Sequence, residues 1–206
     1  MPDDPGVGGA RPGVRNHGME RCLAALALAV SLLLAPVGAA PAVAAQDDPR
    51  LDRLFARLKA TDDAAEGERL GREIRSIWLE SGRKEIDLLM LEGRGFMARG
   101  ILHSALGNFH SIVKLAPDFA EGYHNRAHVH YLMGNLAASV EDIGRTLARE
   151  PRHFLAFAGL GIIYLRLGRE RQALMALEKA LEINPHLSGT RHEVEELKRK
   201  LGGKRI

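Results

Sequence analysis

The chain has 206 residues, of which 46% are hydrophobic, 27% charged and 5% aromatic, the balance of an ordinary globular protein leaning toward helix formers. Its formal net charge of +3 is spread along the sequence, which argues against nucleic acid as the partner, because such binding needs a concentrated basic face. The single cysteine, Cys22, excludes an internal disulfide and a cysteine-built zinc or haem site.

Residues 1–45 differ from the rest. A Pro/Gly-rich opening leads to Arg21, an uninterrupted apolar run from Cys22 to Ala35, and a small-residue tract from Val37 to Ala45. These are the three parts of a secretory signal, and Val43 and Ala45 place the expected cut after Ala45, before Gln46. Met19 offers an alternative start that gives a signal of ordinary length. The apolar run of 14 residues falls short of the ~20 needed to span the hydrocarbon core, so no stable membrane insertion is expected after cleavage. Met19, Glu20 and Arg21 ahead of Cys22 do not make a lipobox. The expected location is periplasmic or secreted.

Asp48 followed by Pro49 opens a helix: the carboxylate caps free amides, and proline in the first turn loses no hydrogen bond. Leu51, Leu54, Phe55 and Leu58 give it one apolar stripe, which Thr61, Asp62 and Asp63 end. A second helix is predicted over 64–80, with Leu70, Ile74, Ile77 and Trp78 on one face and Ser81-Gly82 as the stop. The place of Trp78 on that stripe predicts a core residue rather than a stacking platform.

From Ile86 a 34-residue period takes over, marked by Pro117, Pro151 and Pro185 and by Gly100, Gly134 and Gly168. Self-similarity at this interval is the mark of stacked repeats. Each unit is predicted as two helices joined at its glycine, over 86–99 and 102–115, 120–133 and 136–149, and 154–167 and 170–183. A last helix is expected from a capping box of Thr190 and Glu193 to Leu201, with Val194, Leu197 and Leu201 on its apolar stripe and a frayed tail from Gly202.

Phe157, Leu160, Gly161, Tyr164, Ala173, Leu177, Ala180 and Pro185 resemble the signature of the tetratricopeptide repeat, a helix-turn-helix unit of 34 residues. The second copy reads Tyr123, Arg126, Ala127, His130, Ser139, Ile143, Thr146 and Pro151; the first reads Leu89, Glu92, Gly93, Phe96, Ala105, Phe109, Ile112 and Pro117. Glu92, Arg126 and His130 depart from the pattern. The resemblance implies an all-α fold, an α-α superhelix of helix-turn-helix repeats with a C-terminal capping helix. Small residues at 93, 127 and 161 bring the helices of a unit together, while larger ones at 89, 96, 123, 157 and 164 fill the space between. The expected organisation is a signal over 1–45, a helical hairpin over 46–85 as a degenerate first repeat, units over 86–119, 120–153 and 154–187, and a capping helix and tail over 188–206.

The resemblance also implies a concave groove, lined by the first helices, that takes a protein or peptide. Carried over by position, that groove holds Asp87, Met90, Arg94 and Met97, then Glu121, His124, Asn125, His128 and Tyr131, then Leu155, Ala158, Ile162 and Leu165. The family's carboxylate-gripping version is poorly matched, with Arg94 and Asn125 as the nearest counterparts. His124 and His128 share a helix face at a spacing that metals use, which gives metal or haem handling as the alternative function. No Glu follows His124 in an H-E-x-x-H arrangement, so a hydrogen-bonding pair that contacts a partner is the main reading and no cofactor is expected. His103, His110, His153, His186 and His192 are read as surface residues. No nucleophile with its base, phosphate loop or paired-carboxylate site is recognisable, so no enzyme is expected.

Overall fold

The computed structural model describes residues 45–203. The expected secretion signal lies outside them except for Ala45, as do residues 204–206 of the tail. After a short 3-10 turn at Ala45–Asp47, the described residues form α1 (Arg50–Ala60), α2 (Ala64–Trp78), α3 (Lys84–Ala98), α4 (Leu102–Leu115), α5 (Ala120–Leu132), α6 (Leu136–Arg149), α7 (Phe154–Arg166), α8 (Glu170–Ile183) and α9 (Ser188–Gly202), with no strand among them. None of these helices is long and apolar enough to cross a membrane.

The repeat ladder has a direct structural cause. Gly100, Gly134 and Gly168 adopt φ of +73°, +80° and +70°, the left-handed conformation that favours glycine. In each case the next residue's amide reaches back five positions: Ile101 to Phe96, Asn135 to His130 and Arg169 to Tyr164, at 2.8–2.9 Å. The glycine thus satisfies the last free carbonyls of the first helix and aims the chain into the second. Within a unit the helices meet at the small residues expected. A Cβ built on Gly161 would stand 2.5 Å from Leu177, and one on Gly93 would stand 2.8 Å from Phe109. In the middle unit Ser139 Oγ donates to the carbonyl of Ala127 at 2.8 Å.

The departures from the repeat pattern are matched in pairs. Arg126 on α5 donates twice to the buried carboxylate of Asp142 on α6, at 2.6 and 2.7 Å, and Arg145 joins at 3.0 Å. One unit earlier, Glu92 accepts from Asn108 at 3.3 Å. His130 lies near the same Asp142 carboxylate at 4.0 Å. The part-buried Arg126 is therefore admitted where the second helix supplies the opposite charge, while the exposed Glu92 meets only a neutral amide.

Two sequence expectations are corrected here. Helix α9 begins at Ser188, with Leu187 in the cap position and no side-chain cap, so Thr190 and Glu193 fall inside the first turns and make no capping box. The end helix is fixed instead by Val194 and Leu197, buried against Ala173 and Leu177, and by Lys198–Glu178 and Lys200–Glu170 ion pairs at 2.7 and 2.6 Å.

The larger correction concerns the hairpin of α1 and α2, which does not continue the stack. Its apolar stripe, with Leu51, Leu54, Leu58, Leu70, Ile74, Ile77 and Trp78, forms one core with Phe154 at the start of α7, and Ile183 and Leu187 pack at its edge. The hairpin thus lies along the turns that carry the prolines. Gln46 donates to the carbonyl of Asp118 at 2.7 Å, Arg152 pairs with Asp52 at 2.6 Å, and Gly67 and Gly71 leave room for His186 and Asn184. Asp118, Arg152 and His186 each follow one of the three marker prolines. The hairpin pattern of apolar residues suited a helix pair, but only the fold decides which surface covers it.

Candidate functional site

Trp78 is the anchor of this seam. It is buried, as its stripe predicted; its ring stacks on His153 with centroids 4.2 Å apart, and its indole N–H points to Glu150 Oε2 at 3.4 Å. His153 is fully buried, a correction to its reading as a surface residue. The 34-residue register carried the signal: the equivalent positions hold Phe119 and Leu187, both apolar. His153 Nδ1 accepts the amide of Ala156 at 3.1 Å and so caps α7, while Nε2 meets Glu121 Oε2 at 2.9 Å. With Nδ1 used as an acceptor, the ring proton sits on Nε2 and is donated to Glu121.

That bond links the seam to the groove. Glu121 on α5 also accepts from Asn125 Nδ2 at 2.9 Å, and the same amide donates to the Glu121 carbonyl. Burial would raise the Glu121 carboxyl, but neighbouring His124 and His153 and the Asn125 hydrogen bond more than offset it and leave it below the ordinary range. The His124 ring lies 4.4 Å from that of His153, and burial first, then its neighbours, pushes it down to about 3, so it is neutral at ordinary pH. Its Nδ1 is buried with no partner among the described residues.

The groove residues predicted from register separate into two sets. Arg94 and His128 are exposed, and Met97, His124, Tyr131, Leu155 and Ile162 line open depressions. Met90 is instead buried and joins the core with Ile86 and Phe109, while Glu121 and Asn125, largely buried and tied to each other, still line one of these depressions. Asp87 also leaves the groove, since its carboxylate accepts the Ser81 amide and hydroxyl at 2.9 and 2.6 Å and ties α3 to the turn before it. Leu165 packs toward α8 and α9. For Met90, Asp87 and Leu165 a partner elsewhere claims a residue that register alone placed on the concave side.

Two depressions remain and join at His124, His128 and Leu155. One, of about 310 Å³, lies between α5 and α7 and is walled by Ala127, Tyr131, Ile143, Ala158, Ile162 and Ile163, an almost wholly apolar surface. The other runs between α2 and the first helices, where Arg72 and Arg75 face Arg94 and Met97. Arg72 and Arg75 were not among the predicted groove residues, because nothing in a local pattern brings α2 to this face.

Metal ligation finds a different set from the one the sequence suggested. Glu121, His124 and His153 offer ligand atoms within 4.8 Å of one another, and His128 is not part of that group. The amide of Ala156 occupies His153 Nδ1 and leaves the proton on the nitrogen that would have to bind the ion. Ligation there would cost the α7 cap, so the cluster fits a hydrogen-bonded brace better than a metal centre.

Comparison with known proteins agrees with this architecture. The Tetratricopeptide repeat family profile matches residues 156–187. A TPR repeat-containing protein of Rhizobium etli is 35% identical over 156 residues, covering 76% of each chain. The chain belongs to the tetratricopeptide-repeat proteins. Mouse tetratricopeptide repeat protein 36 is 33% identical over 101 residues, 46% of this chain and 53% of its own. Among solved structures, the first TPR domain of Spaghetti bound to the HSP90 peptide SRMEEVD superposes with a TM-score of 0.55 at 18% identity, covering 58% of this chain and 94% of that one. The protein MamA gives 0.54 at 19% identity over 76% of this chain and 84% of that one. These structures share the tetratricopeptide fold with this array.

Proposed function

We propose that this tetratricopeptide protein is a non-enzymatic adaptor of the bacterial periplasm or cell envelope that captures a peptide or an extended segment of another protein. The observation that carries the reading is the joined groove, apolar between α5 and α7 and cationic where Arg72, Arg75 and Arg94 meet. Such a surface suits a segment with a branched apolar side chain next to acidic ones, since burial supplies affinity and charge supplies register. Structural neighbours with bound peptides, among them the Spaghetti domain and the Yersinia enterocolitica secretion chaperone SycD with a YopD peptide, support peptide capture as a use of this fold.

Panning a displayed library of random twelve-residue peptides against the purified chain tests the proposal. Selected peptides are expected to carry acidic and branched apolar residues, and Ile162→Arg, a change at a half-exposed position, is expected to weaken them at least tenfold at unchanged helicity. Equal binding by the variant would remove the groove from the function. The envelope location rests on the apolar run and cleavage-like tract of residues 1–45; N-terminal sequencing of the exported chain is expected to start at Gln46, and an intact N-terminus on exported protein would contradict it.

A further inference from the structure

Leu88 and Leu91 on α3 are 60% and 71% exposed, and the repeat register explains what they lack. Their counterparts are Gly122 and Asn125 on α5, and Ala156 and Gly159 on α7. In the later units this face meets the second helix of the unit before it. A Cβ on Gly122 would stand 2.7 Å from Ile112 of α4, one on Gly159 would stand 3.8 Å from Ile143 of α6, and Asn125 and Ala156 are buried. Gly95 shows the same contrast: its counterparts Val129 and Ile163 are buried, while a Cβ on Gly95 would meet nothing within 4 Å among the described residues. Helix α3 has no preceding unit among the described residues, because α2 lies along the inter-repeat turns. The face is an inter-repeat interface with one side present.

We infer that a second copy of this chain covers it, with the two α3 helices packed antiparallel about a two-fold axis near residue 93. The face is complementary to itself in that orientation. Large Leu88 and Leu91 occupy its N-terminal half and small Gly95 and Ala98 its C-terminal half, so antiparallel packing sets large against small at both ends. A parallel pair would crowd one end and leave a gap at the other. Glu92, Gly95, Phe96 and Arg99 rim a depression at positions i, i+3, i+4 and i+7, the four-residue hole that receives one knob in helix packing. The axis that seats Leu91 of the second copy in that hole also brings Glu85 toward Arg99 of the other copy. A contact built on one helix pair is small, so the association is concentration-dependent rather than obligate.

Sedimentation velocity of the purified chain over a concentration series tests this. A dimer that forms with rising concentration is expected, with its dissociation constant raised at least tenfold by Leu91→Arg and by Gly95→Arg, both at unchanged helicity by circular dichroism. In a Cys22→Ser background, Leu88→Cys combined with Ala98→Cys is expected to give a covalent dimer on oxidation. These two residues stand about 15 Å apart along one helix, and peptide mapping of the covalent dimer is expected to find position 88 linked to position 98; links of 88 to 88 and 98 to 98 would mean a parallel pair and overturn the arrangement. A chain that stays monomeric throughout, or a dimer indifferent to both arginine variants, overturns the proposal; the face would then belong to a different protein's helix or to the chain's own first 44 residues.

Discussion

The repeat stack and the hairpin seam are built on opposite plans. In the stack the same contact recurs at a fixed interval: a small residue at 93, 127 or 161 against the second helix, a left-handed glycine at each turn. In the seam every contact occurs once: Trp78 on His153, Arg152 with Asp52, Gly67 under His186. The stack is mainly apolar, and its part-buried Arg126 is matched by the buried carboxylate of Asp142. The seam gathers buried polar groups, His153, Glu150 and Asn184, at the ends of helices where free backbone groups need partners. Repetition makes an extendable surface, and the singular contacts fix where a non-repeating element sits on it.

Breaking the seam has the largest expected effect. Trp78→Ala removes the stack on His153 and the filling between α2 and α7, at a cost of about 3–5 kcal/mol. Hydrogen exchange is expected to show loss of protection in α1 and α2 while α5 to α8 retain theirs; uniform loss across all helices would mean that hairpin and stack are one cooperative unit. Breaking the stack has a smaller effect. Gly161→Leu forces side-chain atoms into the space of Leu177 and is expected to cost about 1–3 kcal/mol in chemical denaturation, with protection lost first in α7 and α8. An unchanged midpoint would show that the close approach at Gly161 is readily relaxed.

The same contrast explains what could be read in the sequence. The helices of the three units were legible because their cause repeats: glycine, small residue and proline each return after 34 residues, and α4, α6 and α8 have the limits expected from them. The place of the hairpin was not legible, since Trp78 and Glu150 are 72 residues apart and meet only once. Its helices and its buried tryptophan followed from local pattern, but the surface it covers did not. For the groove, register placed Arg94, His128 and Ile162 on open surface, yet it could not reveal that Glu121 and Asn125 satisfy each other or that α2 brings Arg72 and Arg75 alongside. His153 was the exception that register could have caught, had its apolar counterparts Phe119 and Leu187 been weighed.

The contacts of the N-terminal segment with Asp118, Arg152 and His186, one beside each marker proline, have a mechanical consequence. In arrays of this kind each unit touches only its neighbours, so small rotations between units accumulate along the axis. A brace fastened at three successive points fixes those rotations relative to one another. The array should therefore stretch and recoil less than its repeats alone would, keeping a constant pitch along the surface that meets a ligand.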